Sequence, residues 1–489
     1  MTAPIQNLHN LVDGTWTEGS GGDVVSINPA DSSVVVAAGQ RADTALLDAA
    51  VTAASAARAQ WAHTPAHERG AVLVRAAAIV EARADEWGRE LSREEGKTLA
   101  EGIGEVGRAA QILRFYGNDA DREAGEVYSS PRRGERILVT RKPVGVVGVI
   151  TPFNFPIAIP AWKIAPALTY GNTVVWKPAS TVPLLAVRLA QALTEAGLPA
   201  GVLNLVLGDR EIGTGIIEHP GIDAVTFTGS TGVGRRLVAA GALRGVPVQA
   251  ELGGKNAAIV LGDADLDLAV QQVALGAFRS TGQKCTATSR LIVTDDIADD
   301  FLAALTKRAR EIIVGDPLDP TTEMGPVING AARESIRGGI DRAIEQGADL
   351  LVGGTSADPQ LRESGYFLSP TILDLPSGDL DIWRDELFGP ALAIRRVASV
   401  EDAFTLANDG DYGLSAALFT QDLTRTLEAV DHIDVGILHV NSESAGADPH
   451  VPFGGAKKSG YGPKEQGRSA REFFTHTTTV YLRGGAARI

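Results

Sequence analysis

Cysteine is almost absent: the 489 residues contain one, Cys285. No disulfide can therefore form within the chain, and a Cys-rich zinc site is excluded. Methionine occurs twice and aromatic residues make up only 5%. There is no run of roughly 18 consecutive apolar residues, the least that a membrane-crossing helix requires. Basic charge is in deficit, with 45 Lys and Arg against 60 Asp and Glu and a net charge of −15, so neither a nucleic-acid nor an anionic-membrane surface is expected. Fixed-period repeats and low-complexity linkers are missing too, which predicts tightly packed domains. The N-terminal MTAPIQNLHNLVDGTW has no basic stretch followed by an apolar core. Together with the lone cysteine, this predicts a cytoplasmic protein.

What is present has an ordinary globular balance, 44% hydrophobic and 21% charged, and the length suits about three domains. Residues 42–116 read as helices, with apolar positions three and four apart such as Leu46, Ala49, Ala50 and Ala53. The polar SSPRRGER (129–136) between extended segments predicts a hairpin. From Pro143 onward, PVGVVGVI, NTVVWKP, VLNLVLG and AVTFTG are short β-branched runs alternating with helical stretches, the pattern of a parallel sheet covered on both faces. The helix near 183–196 is expected to take its cap from Ser180 or Thr181 and to end at Gly197. A second α/β block starts near 256, with strands in NAAIVLGD and RLIVTD and helices over 266–279 and 299–313; ADLLVGG, ALAIRRV, LSAALFT and GILHVN follow. The last strand, TTTVYL (477–482), is expected to pair with the hairpin near 127–141, in this chain or another.

Five local features carry chemistry. Cys285 lies in FRSTGQKCTATSR, whose Gly282, Gln283, Lys284 and Thr286 do not form an apolar face; a thiol there is either a small core residue or a nucleophile. Glu251, in ELGGKN, ends an extended run just before two glycines, as a solvated charge or a general base would. Asn154, in TPFNFP, is bracketed by prolines that exclude helix; it fits an Asx turn or an oxyanion donor. Gly229, Gly232 and Gly234 in FTGSTGVGRRL form a glycine-rich strand-to-helix turn, suited to a phosphate but not spaced as G-x-G-x-x-G. Lys177, in WKPAS, stands at the carboxyl end of a strand, where open α/β sheets bind ligands.

Taken in this order, with ELFGP (386–390) and PFGGAKKSG (452–460), these features resemble the aldehyde dehydrogenase superfamily over nearly the whole chain. The resemblance implies an α/β fold: a Rossmann-like cofactor domain (1–122 and 142–252), an α/β catalytic domain (253–465) and a small β oligomerisation element (123–141 and 466–489). It implies Cys285 as nucleophile, Asn154 and the Cys285 main-chain N–H as oxyanion donors, and Glu251 as base, with a proton path through Lys163 and Glu465. It assigns Thr151, Pro152, Phe153, Lys177, Ser180, Gly208, Gly229, Ser230, Gly234, Leu252, Glu386 and Phe388 to an NAD or NADP site.

NAD-preferring members often carry an acidic residue where this chain has Ser180, so NADP should be accepted. Arg279, Trp162, Ser442 and Phe453 are implied on the substrate side. Arg279 suits an aldehyde with a distant carboxylate, or else pairs with a carboxylate of the protein itself. FRSTGQKCTATSR with NSESAG looks like the 2-oxoglutarate semialdehyde (2,5-dioxopentanoate) dehydrogenases. A broad-specificity aliphatic or aromatic aldehyde dehydrogenase and a non-catalytic relative are the alternatives. No metal is implied, and a homodimer or homotetramer is expected.

Overall fold

Alanine-rich stretches with apolar positions three and four apart coil into four successive helices: Thr44–His63, Ala66–Ala82, Ala84–Glu95 and Leu99–Asp119. The computed structural model describes residues 4–122, 125–354, 359–376 and 380–484. The first helix starts where Asp43 accepts from the Leu46 N–H. The fourth starts at a reciprocal capping box between Thr98 and Glu101.

The β-branched runs after Pro143 form the parallel centre of an eight-stranded sheet. Its strands lie in the order Gly460–Tyr461, Val248–Glu251, Ala224–Thr228, Val146–Ile150, Thr173–Lys177, Leu203–Leu205, Asn10–Val12 and Thr15–Thr17. The end strands add antiparallel. Helices cover both faces, and the central strands are buried throughout. A seven-stranded sheet follows, from Asp349–Val352 through Thr371–Asp374, Ala391–Val397, Thr288–Thr294, Asn256–Val260 and Ser415–Phe419 to Ile437–Val440. It is parallel except at the Asp349–Val352 edge. The chain crosses between the two sheets over residues 252–255, so Glu251 and Cys285 approach the same seam from opposite sides.

Gly125–Ser129, Glu135–Pro143 and Thr475–Arg483 make a separate three-stranded sheet. The C-terminal strand pairs antiparallel with Glu135–Pro143 of its own chain, and its other edge has no partner strand among the described residues. Residues 123–124 and 485–489, included in the expected oligomerisation element, lie outside the described residues.

Two expectations need correction, and one group of strands is new. The helix Leu184–Glu195 takes no cap from Ser180 or Thr181: Pro183 occupies its N-cap without a side-chain bond. Instead buried Glu94 accepts from Leu184 N–H at 2.8 Å and Leu185 N–H at 3.4 Å. The helix expected over 299–313 is Asp295–Glu311, and Asp295 and Asp296 in its first turn favour the earlier start. Finally, Gln6–Leu8, Asn10–Val12, Thr15–Thr17, Asp23–Ile27 and Val35–Gln40 are strands that the sequence did not announce.

Candidate active site

The helix Leu266–Phe278 stops before the nucleophile candidate, and the next turn is left-handed: Ser280, Thr281 and Gly282 have φ of 53°, 54° and 67°. For residues with a Cβ this costs about 1–2 kcal/mol each, and it persists only where the surroundings over-determine it. They do so here residue by residue. The Ser280 N–H and hydroxyl donate to Glu101 Oε1 at 2.7 and 3.0 Å. The Thr281 hydroxyl donates to the Gly325 carbonyl at 3.0 Å. A Cβ on Gly282 would lie 2.3 Å from the Gly389 carbonyl oxygen, so only glycine fits there. The Gln283 side-chain oxygen accepts from the Ile328 N–H at 3.0 Å. Lys284 Nζ lies 3.2 Å from Glu443 Oε2. The Cys285 carbonyl accepts from Asn256 Nδ2 at 2.7 Å, and the same amide reaches the Ala287 carbonyl at 2.8 Å. Burial, reinforced by the nearby carboxyls of Glu251, Glu386 and Glu465, pushes the Cys285 thiol up to about 12, so it rests protonated.

Asn154 follows the strand Val146–Ile150, and its Nδ2 donates to the Gln283 carbonyl at 3.0 Å, leaving its second hydrogen for another acceptor. Its own carbonyl accepts from buried Lys97 Nζ at 2.8 Å. Lys97 is paired with Glu105 Oε2 at 2.6 Å, and Glu105 Oε1 accepts from the N–H groups of Ile157 and Ala158, capping the helix Ala158–Thr169. That helix presents Lys163, whose Nζ donates to Thr226 Oγ1 at 2.9 Å and closely pairs with Glu465. Glu251 ends the strand Val248–Glu251, is buried, and accepts from the Gly455 main chain. Burial first, then the neighbouring Glu465, hold its proton affinity well above the usual carboxylate range, against the opposing pull of Lys163.

Two cavities meet at Cys285, which lines both. The larger, about 800 Å³, is lined by Thr151, Pro152, Phe153, Lys177, Gly229, Ser230, Leu252, Glu386 and Phe388 of the expected cofactor residues, and by Asn154. Ser180, Gly208 and Gly234 do not line it. Ser180 is exposed one residue beyond Ala179, which does line it; Gly208 packs on Ile212. A Cβ on Gly234 would lie 2.2 Å from Leu252 Cδ2, so this glycine seats the helix Thr231–Arg244 on the strand end. Ser230 begins that helix without a capping bond from its side chain, which leaves the helix start open to an anion. Burial lowers Lys177 to about 8 and raises Glu386 to about 7, while Glu386 Oε1 accepts from the Gly254 N–H at 2.9 Å. Phe388 meets Phe153 edge to face, with ring centroids 5.8 Å apart. A cavity of this volume, with an open helix start and a buried lysine on its wall, fits a dinucleotide, and Cys285 lines it as well.

The second cavity, about 570 Å³, is lined by Trp162, Phe453, Arg279 and Lys284, with Trp162 and Phe453 packed 5.4 Å apart. Arg279 is half-exposed and donates to Glu443 Oε1 at 2.8 Å, with its Nε 3.7 Å from Glu101 Oε1. Ser442 does not line the cavity; its hydroxyl faces His439 Nδ1 at 3.4 Å, and Ala445, Gly446 and Ala447 supply that wall. Glu101, Glu443, Lys97, Glu105 and Asn256 are the structural partners that sequence reasoning missed. Thr98-Leu99-Ala100-Glu101 is a legible capping pattern, but nothing local marks Glu443, 164 residues from Arg279, as its partner.

Residues 16–480 match the model of the aldehyde dehydrogenase family. The chain is 43% identical to the alpha-ketoglutaric semialdehyde dehydrogenase of Bacillus subtilis (strain 168), over 98% of this chain and 99% of that protein. It superposes on a crystal structure of a putative aldehyde dehydrogenase from Burkholderia cenocepacia with a TM-score of 0.95 and 38% identity, covering 98% of each chain. A crystal structure of PnpE in complex with nicotinamide adenine dinucleotide gives a TM-score of 0.95 and 36% identity, covering 99% of each chain. The cleft lined by Cys285 thus stands on a scaffold shared over nearly its whole length, and the chain belongs to the aldehyde dehydrogenase family, NAD(P)-dependent enzymes of aldehyde oxidation.

Proposed function

We propose that this enzyme oxidises an acidic semialdehyde of the 2-oxoglutarate semialdehyde class to the free acid, with Cys285 as nucleophile. The observation that carries the reading is the position of Cys285, at the contact between a dinucleotide-shaped cavity and a second cavity with Arg279 on its wall. The Cys285 thiol gives up its proton to water, the resulting Sγ thiolate attacks the aldehyde carbon, and the oxyanion is held by the spare Asn154 N–H and the Cys285 main-chain N–H. A nicotinamide bound in the first cavity supplies the hydride acceptor. Glu251 then takes a proton from the water that hydrolyses the thioester on Cys285 and passes it toward the Lys163–Glu465 pair; burial and the neighbouring Glu465 raise its proton affinity, which strengthens it as a base.

Arg279, half-exposed on the wall of the second cavity, keeps guanidinium N–H groups beyond those near Glu443 and Glu101 that can donate to the distal carboxylate of the substrate. The name of the Bacillus subtilis relative supports this substrate class. Ser180, exposed beside the cofactor cleft, brings no carboxylate against a 2′-phosphate, which supports use of NADP as well as NAD.

The same reading divides the chain into a cofactor domain (1–122 and 142–252), a catalytic domain (253–465) and an oligomerisation element (123–141 and 466–489). The open edge of Thr475–Arg483 serves a homodimer or homotetramer. No described helix is long and apolar enough to cross a membrane, and a cytoplasmic location is proposed.

The test is initial rates of NAD(P)H formation with 2-oxoglutarate semialdehyde, succinic semialdehyde, a neutral aliphatic aldehyde and benzaldehyde, for the native enzyme and Arg279→Leu. The native enzyme should favour the acidic aldehydes by about tenfold or more in kcat/KM, about 1.4 kcal/mol, and Arg279→Leu should erase that preference. Equal losses for acidic and neutral aldehydes would mean that Arg279 is structural.

A further inference from the structure

We propose that Glu101 is a positioning residue for the nucleophile: its carboxylate holds the left-handed turn that aims Cys285 at the junction of the two cavities. This rests on Cys285 being the nucleophile. Glu101 belongs to the first turn of the helix Leu99–Asp119, far along the chain from Cys285, yet both of its oxygens are engaged. Oε2 accepts from the Thr98 N–H and hydroxyl at 3.0 and 2.9 Å. A helix cap needs no more than that.

Oε1 is used for something else: it accepts from the Ser280 N–H and hydroxyl and has Arg279 Nε at 3.7 Å. Ser280 is the first of the left-handed residues, and the direction in which the chain leaves it decides where Gln283 and Cys285 lie. Downstream, the Gln283 carbonyl is the one that Asn154 holds. A slip at Ser280 therefore moves the sulfur and disturbs the seat of the oxyanion donor together. Thr281, β-branched at positive φ, strains the turn and favours its release, while Gly282 is wedged against Gly389. An anchor at Ser280 is what keeps so costly a turn in place.

The test compares the full-length variants Glu101→Ala, Glu101→Ala/Ser280→Gly, Cys285→Ala and Asp422→Ala. Asp422 caps the helix Leu423–His432, accepting from the Thr424 N–H at 2.7 Å, so its variant controls for loss of a helix cap elsewhere. The readouts are kcat and KM at saturating cofactor, the rate of Cys285 alkylation by iodoacetamide, and Tm. Because Glu101 also lines the second cavity beside Arg279, kinetics are read with a neutral aliphatic aldehyde: Glu101→Ala should lower kcat by about 100-fold with little change in its KM, the effect of a misplaced reacting atom, and should alter the alkylation rate. Adding Ser280→Gly should recover about tenfold of kcat, because glycine takes positive φ without steric cost. A kcat for Glu101→Ala equal to that of Asp422→Ala, or no recovery with Ser280→Gly, overturns the proposal while Cys285→Ala remains inactive. An active Cys285→Ala overturns the nucleophile assignment itself.

Discussion

Asn154 Nδ2 donates to the Gln283 carbonyl at 3.0 Å, so the proposed oxyanion donor is tied to the main chain two residues before the proposed nucleophile. The bond joins the end of one sheet to the loop of the other, and it fixes the amide without using both of its hydrogens. Replacing Asn154 by Ala removes the donor. The expected result is a fall in kcat of about 10²–10³ with the protein still folded, measured by steady-state kinetics and circular dichroism. A fall below tenfold would place the oxyanion elsewhere.

Lys97 is nearly inaccessible and faces Glu105 at 2.6 Å, Glu95 at 3.8 Å and the Asn154 carbonyl. Lys97→Met leaves the Glu105 carboxylate buried without its cation, whereas burial already raises Glu95 to about 8. Loss of one partner of a buried pair costs about 3–5 kcal/mol, so the denaturant midpoint should drop by a corresponding amount. An unchanged midpoint would mean that the Lys97–Glu105 pair adds no net stability.

The resting thiol defines a pH dependence. Burial and the surrounding carboxyls both disfavour the thiolate, so over the neutral to mildly alkaline range its population rises tenfold for each pH unit. Alkylation of the cofactor-free enzyme by iodoacetamide should rise with unit slope and show no plateau below about pH 9. A plateau near neutrality would show a thiolate already formed.

Ser180 gives a cofactor test. Ser180→Glu places a carboxylate at the exposed residue next to the cleft-lining Ala179. It should lower kcat/KM with NADP by about tenfold or more and leave NAD within a small factor, since the acidic group repels a 2′-phosphate and accepts from a 2′-hydroxyl. Equal effects on both cofactors would remove Ser180 from the ribose site.

Much of this architecture was legible because it depends on short-range patterns. The β-branched runs from Pro143 onward are the central parallel strands, and the Ala-rich periodicity is the helical layer. Cys285, Asn154, Glu251 and Lys177 each sit next to glycine or proline punctuation. The structure brings Cys285, Asn154 and Lys177 to one cavity, with Glu251 buried at the seam behind it. What could not be read is long-range pairing. Glu94 capping a helix 90 residues away, Glu443 claiming Arg279, and Glu101 reaching Ser280 leave no local trace. The short N-terminal strands escaped as well, since Gln6–Leu8 and Thr15–Thr17 are too brief for alternation to register. Ser442 was named three residues short of the cavity wall, which Ala445, Gly446 and Ala447 supply in that loop.

The central claim is that oxidation proceeds through an acyl group on Cys285 that Glu251 helps to release. The direct measurement uses Glu251→Gln mixed with 2-oxoglutarate semialdehyde and cofactor, with NAD(P)H followed by absorbance and the quenched protein analysed by peptide mass spectrometry. Turnover should fall by about 10²-fold or more, one equivalent of NAD(P)H per subunit should appear in a burst, and the acyl mass should lie on the peptide containing Cys285. NAD(P)H formed in continuous turnover with Cys285 unmodified would contradict the account.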